Sequence, residues 1–142
     1  MEVISLYKKE EKNSKAIQID QGFFMENKGL FGDINGKGGD RQVSILTVNH
    51  RDAIEKEDKG LCTERFYENI TIEGLDVDKL HIGQKIIIGE TIQVITAIGK
   101  KCFNECNLVK SNKQCLLSTN VIFTKVVRSG NIKIGDKINR LP

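Results

Sequence analysis

Branched aliphatic residues recur along the chain in short runs bounded by glycine and polar residues, which is the pattern of strands. Val3 to Tyr7 is a short apolar run, and Ala16-Ile17-Gln18-Ile19-Asp20 alternates. Gln42 to Val48 and Thr91 to Ile98 are rich in β-branched residues and apolar on both faces, as a barrel or sandwich interior requires. Val121 to Arg128 repeats that character. Two heptads echo one another, Leu80-His81-Ile82-Gly83-Gln84-Lys85-Ile86 and Ile132-Lys133-Ile134-Gly135-Asp136-Lys137-Ile138. Each sets a Gly-polar pair between isoleucine-rich arms, so each predicts a tight turn or bulge between strands, one local solution used twice. Helical signal is confined to Asn49–Gly60, which offers an asparagine cap, a polar face and a terminal glycine. The stretch from Asn107 to Asn120 is polar and irregular, a loop or a helical turn. The prediction is a mostly β domain with a barrel or sandwich core and one or two short helices.

Composition narrows the class. The 142 residues fit one domain, 1–142, and 39% hydrophobic against 29% charged residues allows a packed core. A net charge of +3 is too mild to imply nucleic acid or an anionic membrane as partner. No run approaches the roughly 18 apolar residues needed to span a bilayer. The N-terminus turns charged too soon for a secretory signal, so its four cysteines imply reduced thiols in the cytoplasm. Thirteen Gly against one Pro means that chain reversals rely on Gly and Asn.

Three features carry candidate chemistry. Five glycines fall between Gly29 and Gly39, and the segment runs into Asp40-Arg41-Gln42. The glycine spacing is wrong for a Walker loop, and Ser44 stands where an EF-hand needs its bidentate Glu. Composition alone describes a Gly-rich hairpin; Arg41 at its exit adds a guanidinium beside free N–H groups, a combination suited to phosphate or carboxylate. Cys102, Cys106 and Cys115 follow the strand ending at Ile98 with spacing C-x3-C-x8-C, and Lys100 and Lys101 precede Cys102. Adjacent lysines favour the thiolate, which attacks electrophiles and ligates metals. Buried inert thiols and a structural zinc site remain as other readings, the zinc drawing a fourth ligand from Cys62, His50 or His81. Finally, Glu68-Asn69 lies between Phe66 and Ile70, which could anchor the segment.

In chain order, these segments resemble the MOSC domain, the module related to the C-terminal domain of molybdenum-cofactor sulfurases. Four blocks carry the likeness: Gly32-Asp33 leading to Arg41-Gln42-Val43-Ser44-Ile45-Leu46; Phe66-Tyr67-Glu68-Asn69-Ile70-Thr71-Ile72-Glu73-Gly74-Leu75; Leu80-His81-Ile82-Gly83; and Val94-Ile95-Thr96-Ala97-Ile98-Gly99-Lys100-Lys101-Cys102. Gly130 with Ile132-Lys133-Ile134-Gly135-Asp136 resembles the closing strand signature. The chain is most similar to the small bacterial stand-alone form. It departs from the family where Ile34-Asn35-Gly36 replaces His-Ala-Gly, where Phe103 follows Cys102 in place of His, and where Leu116 to Asn120 replaces a Met-Pro segment.

The resemblance implies a β-barrel-like fold that binds the molybdenum cofactor (molybdopterin) and carries sulfur, as a persulfide, or metal on Cys102. It implies Arg41 for the pterin phosphate, with Gln42, Ser44, Glu68, Asn69 and Lys100 around the pocket. Cys102 would be the molybdenum ligand, with Cys106 and Cys115 as further metal-binding candidates. The expected partners are molybdenum-cofactor biosynthesis proteins or molybdoenzymes, with a cysteine desulfurase as sulfur donor; no pyridoxal phosphate is expected in this chain. Two alternatives stand beside this one. One is a molybdenum-dependent reductase of N-hydroxylated compounds fed by a partner electron donor, and the other a thiol- or zinc-stabilised binding module without catalysis.

Overall fold

The computed structural model describes residues 1–49, 67–99 and 121–141. The predicted helix beyond Asn49, the Asn107 to Asn120 stretch and all four cysteines lie outside the described residues. Val48 and Asn49 are already helical as they leave the preceding strand. Strands dominate what remains: β1 (Glu2–Lys8), β2 (Ile17–Ile19), β3 (Gln21–Met25), β4 (Gly29–Leu30), β5 (Val43–Thr47), β6 (Ile70–Glu73), β7 (Lys85–Ile88), β8 (Thr91–Ile98), β9 (Ile122–Arg128), β10 (Gly130–Lys133) and β11 (Ile138–Arg140). A single 3-10 turn, Val77–Lys79, is capped by the Asp76 carboxylate. No described helix is long and apolar enough to cross a membrane.

Eight strands form one sheet in the order β11-β7-β8-β9-β5-β6-β1-β2, and β10-β3-β4 form a second. Register explains why the large sheet holds. Ile98 pairs with Ile122, Ile122 with Ile45, Ile45 with Ile70, Ile70 with Leu6, and Leu6 with Ile19. This rung of six branched aliphatics crosses six strands on one face. Its four central members have no exposed surface, and Ile19 and Ile98 pack against the same core. A shift of one residue in any strand would turn its share of the rung outward, so this row fixes the register. Phe24, Leu30 and Ile132 of the small sheet close over the same core.

The β5–β6 pair is parallel, and parallel strands need a crossover of about a dozen residues or more, which residues 48–69 supply. Parallel strands are covered on both faces. All five residues of β5 are accordingly buried, the polar Ser44 and Thr47 among them.

The sheet is barrel-like without closing into a barrel. The outer edge of β1 is shared between β2 at its C-terminal half and residues 135–138 at its start. Val3 N–H donates to the Asp136 carbonyl at 2.9 Å, and Gly135 N–H donates to Val3 at 2.8 Å. One bridge, Glu2 to Lys137, completes this lashing.

The echoed heptads form the same turn. Gln84 N–H donates to the His81 carbonyl at 3.2 Å and Asp136 N–H to that of Lys133 at 3.1 Å. The side chain of Gln84 or Asp136 accepts in return from the first residue's N–H, at 3.4 and 2.9 Å. Gly83 and Gly135 both sit at φ 91° in open space, so conformation rather than crowding demands glycine, as at the third position of a type II turn. The alternating stretch from Ala16 to Asp20 forms β2, and the isoleucine arms around these turns fall in β7, β10 and β11.

Truncating the rung should be costly. Ile70→Ala is expected to lose about 2–5 kcal/mol in urea unfolding, whereas Ile17→Ala, at a half-exposed site, should change stability by about 0.5 kcal/mol or less.

Candidate functional site

The rung occupies one face of the large sheet, and those predicted site residues that are described lie on or beside the other. Ser44 alternates with Val43 and Ile45, pairs with Phe123, and so shares the second face with it. Leu46 and Thr71 are paired on that face, as are Ala97 and Phe123. Leu46, Thr71, Phe123 and Glu68 are all buried there.

Arg41 ends the glycine-rich segment and is exposed, its guanidinium stacked 4.7 Å over the ring of Phe123. The ring fixes the position of the cation while leaving its edge open to solvent. No carboxylate lies within ion-pairing distance of it among the described residues, where Lys8 and Glu10 form the one salt bridge. The Thr96 hydroxyl rests against the carbonyls of Asp40 and Phe123, so the exit of the loop is pinned to β8 and β9. Gly99, at φ 90°, then carries the chain off β8 toward Lys100 and Cys102, its N–H bound to the Val121 carbonyl at 2.6 Å.

Gln42 and Asn69 spend their side chains on the scaffold. Gln42 donates from Nε2 to the Gly39 carbonyl at 2.9 Å and accepts from Val126 N–H at 3.0 Å, tying the glycine loop to β9. The Asn69 Oδ1 accepts from Ser44 N–H at 3.1 Å and from Ser44 Oγ at 3.2 Å, and Nδ2 donates to the Tyr7 carbonyl at 3.2 Å. One amide thereby joins β1, β5 and the entry to β6. Glu68 is 2% exposed, and its Oε2 accepts from the Thr71 hydroxyl at 2.7 Å. Of the predicted set, Arg41 presents its charge to solvent, Glu68 and Ser44 line the buried second face, and Gln42 and Asn69 brace it from below.

Lys100, Cys102, Cys106 and Cys115 lie outside the described residues, as do Cys62 and His50. His81 is exposed on its turn, with Nδ1 3.2 Å from the Ile82 carbonyl. Among the described residues no cluster of His, Cys, Asp or Glu could hold a metal ion. Two open clefts, about 350 Å³ beside Thr47 and Asp76 and about 550 Å³ between Glu90 and Lys137, touch none of the predicted site residues.

Sequence reasoning passed over a further group. Asp33 is buried, and its carboxylate accepts from Lys9 N–H at 2.8 Å, Asn35 N–H at 3.1 Å and the Tyr67 hydroxyl at 2.8 Å. Asn35 Nδ2 donates to that hydroxyl at 3.1 Å, and the Lys9 ammonium lies 5.9 Å from the ring centroid. Burial, then the charge of Asp33 and the hydrogen bond to it, push Tyr67 well above the ordinary tyrosine range, against a smaller opposite pull from Asn35. The phenol therefore keeps its proton in the fold. Tyr67 beside Glu68, and Asp33 beside Gly32, were the signals available; nothing in their spacing pairs them.

A sequence profile of the MOSC domain matches residues 26–139. Among solved structures the fold is similar to YuaD from Bacillus subtilis, with 20% identity, a TM-score of 0.69, and 96% of this chain and 93% of that one aligned. It is similar to YiiM from Geobacillus stearothermophilus, with 14% identity, a TM-score of 0.67, and 99% and 75% aligned. For YiiM from Escherichia coli the values are 17%, 0.64, 100% and 70%. At such identities the likeness speaks for the fold alone. No curated protein matches the chain.

The Tyr67 proton has a measurable consequence. In the unfolded chain the phenol ionises near pH 10, while in the fold it stays protonated to higher pH. The folded state then binds more protons than the unfolded one, so stability falls as pH rises past that value. Tyr67→Phe should lose about 1 kcal/mol at pH 7, and its deficit against wild type should shrink in unfolding experiments above about pH 10.

Proposed function

Because the chain belongs to the MOSC domain family, a family associated with molybdenum-cofactor binding, we propose that it binds molybdopterin on the second face of its large sheet. The observation that carries this reading is the exposed guanidinium of Arg41, without a carboxylate partner among the described residues and stacked on Phe123 beside the strand that runs on to Cys102. Covalent connectivity keeps Cys102 within about 11 Å of Gly99, three residues upstream. A hard-anion binder and a soft sulfur ligand therefore belong to one neighbourhood, and the cofactor carries both a phosphate and sulfur.

The residues present fit such a group. Arg41 would hold the phosphate with charge-assisted hydrogen bonds, and Lys100 would add a second cation. Ser44, Glu68 and Thr71 would line the floor, with Gln42 and Asn69 keeping the loop and β6 in place. Bound there, the cofactor would supply the molybdenum and sulfur chemistry. Cys102, preceded by Lys100 and Lys101, would act as a thiolate. The thiolate would attack the outer sulfur of a donor persulfide, forming a Cys102 S–S bond and releasing the donor thiolate. A cysteine desulfurase is the class of protein that supplies such a persulfide, and molybdoenzymes or their maturation proteins are the class that would receive the product. Cys106 and Cys115 are further thiols available to the metal or to a resolving reaction. The reading places the protein in the cytoplasm, where its thiols stay reduced.

Mixing the protein with molybdopterin and separating free from bound pterin tests the reading. Wild type should retain pterin, and Arg41→Ala should bind about 10- to 100-fold more weakly, the scale of one hydrogen bond to a charged group. Cys102→Ala should still hold pterin yet fail to gain the mass of one sulfur atom when offered a persulfide donor. Failure of wild type to retain pterin, in the presence or absence of molybdate, would refute the proposal.

A further inference from the structure

The group around Tyr67 lies where the segments carrying the site residues meet. Asp33 belongs to the glycine-rich segment that ends at Arg41. Its carboxylate is fixed by two backbone N–H groups, one from Lys9 just past β1 and one from Asn35 within the loop. Tyr67 immediately precedes Glu68 and Asn69 and donates its hydroxyl proton to the same carboxylate. The Tyr67 carbonyl lies 3.4 Å from Ser44 Oγ, so the residue also touches the start of β5. The loop needs such a fastener. It has few side chains of its own to bury, and Gly38 and Gly39 adopt φ of 96° and 85°, with open space around Gly39. Close packing anchors its near end: a Cβ on Gly36 would stand 2.3 Å from the Leu30 carbonyl oxygen. Gln42 anchors its far end through Gly39.

We propose that Tyr67 and Asp33 are positioning residues of the anion site, latching the glycine-rich loop to the Glu68–Asn69 turn so that Arg41 faces the ligand before it binds. This inference rests on the anion-site reading above and adds to it where the site's order comes from. The phenol keeps its proton, so the latch stays closed across the physiological pH range. A site preorganised in this way does not have to order its loop on binding, and that saving appears as affinity. Tyr67 and Asp33 act through Arg41 and need not touch the ligand.

A double-mutant cycle on pyrophosphate and molybdopterin binding separates positioning from general weakening. Tyr67→Phe keeps the ring but loses the hydroxyl, and should weaken binding about tenfold when Arg41 is present. In the Arg41→Ala background the same change should cost nothing further. Ile132→Val, a core change in the small sheet, should leave affinity unaltered although it too lowers stability. Asp33→Asn, which retains an oxygen acceptor, should recover part of the affinity lost in Asp33→Ala. Amide hydrogen exchange from Gly36 to Arg41 gives a readout that needs no ligand, and Tyr67→Phe should accelerate it. Additive effects of Tyr67→Phe and Arg41→Ala, or unchanged exchange in that loop, would overturn the latch. If wild type binds neither probe, the anion-site reading fails and amide exchange alone decides whether the latch exists.

Discussion

The rung from Ile98 through Ile122, Ile45, Ile70 and Leu6 to Ile19 is the constraint on which the rest of the molecule depends. It sets the register of six strands at once. Because side chains alternate across a strand, fixing one face also fixes the other. Ser44, Phe123, Thr71 and Ala97 are thereby gathered on the second face without having to attract one another. An apolar row thus determines where the polar chemistry stands.

That second face is arranged in two tiers. Asn69 and Gln42 form the lower one, each binding backbone groups from separate elements. Buried amides satisfied in this way specify a single arrangement, since a lost partner would leave a desolvated polar group. Above them, among the described residues, Arg41 is held by a ring rather than by a carboxylate. A carboxylate partner would have neutralised the guanidinium, while stacking on Phe123 orients it and leaves its charge for a ligand. The Asp33–Tyr67 contact supplies the remaining link, between the loop and the turn carrying Glu68.

Strand content was legible where the local pattern was strong. Thr91 to Ile98 forms β8 with the same limits, Val121 to Arg128 loses one residue at its start, and Gln42 to Val48 loses one at each end. The echoed heptads announced their turns because glycine at positive φ followed by a polar acceptor is a local solution, complete within four residues. The short strands β3, β4 and β6 were not visible in the same way. Gly29–Leu30 is two residues long and exists as a strand only because Phe24 pairs with Leu30. The site divides along the same line. Arg41 was recognisable from the glycines before it. The partner that positions it, Phe123, is distant in sequence, and only the β5–β9 register brings the two together. Asp33 stood out only within the Gly32-Asp33 block, because its partners Lys9, Asn35 and Tyr67 come from three separate segments that only the fold brings together.

The central claim is that ligand binding belongs to the face bearing Arg41 and Phe123, rather than to the cleft beside Asp76 or the one between Glu90 and Lys137. Amide chemical-shift mapping during titration with molybdopterin tests that most directly. The account predicts perturbations concentrated at residues 38–44, 68–71, 96–99 and 121–124. Shifts confined to the cleft beside Asp76 or the one between Glu90 and Lys137, with the Arg41 face silent, would contradict it.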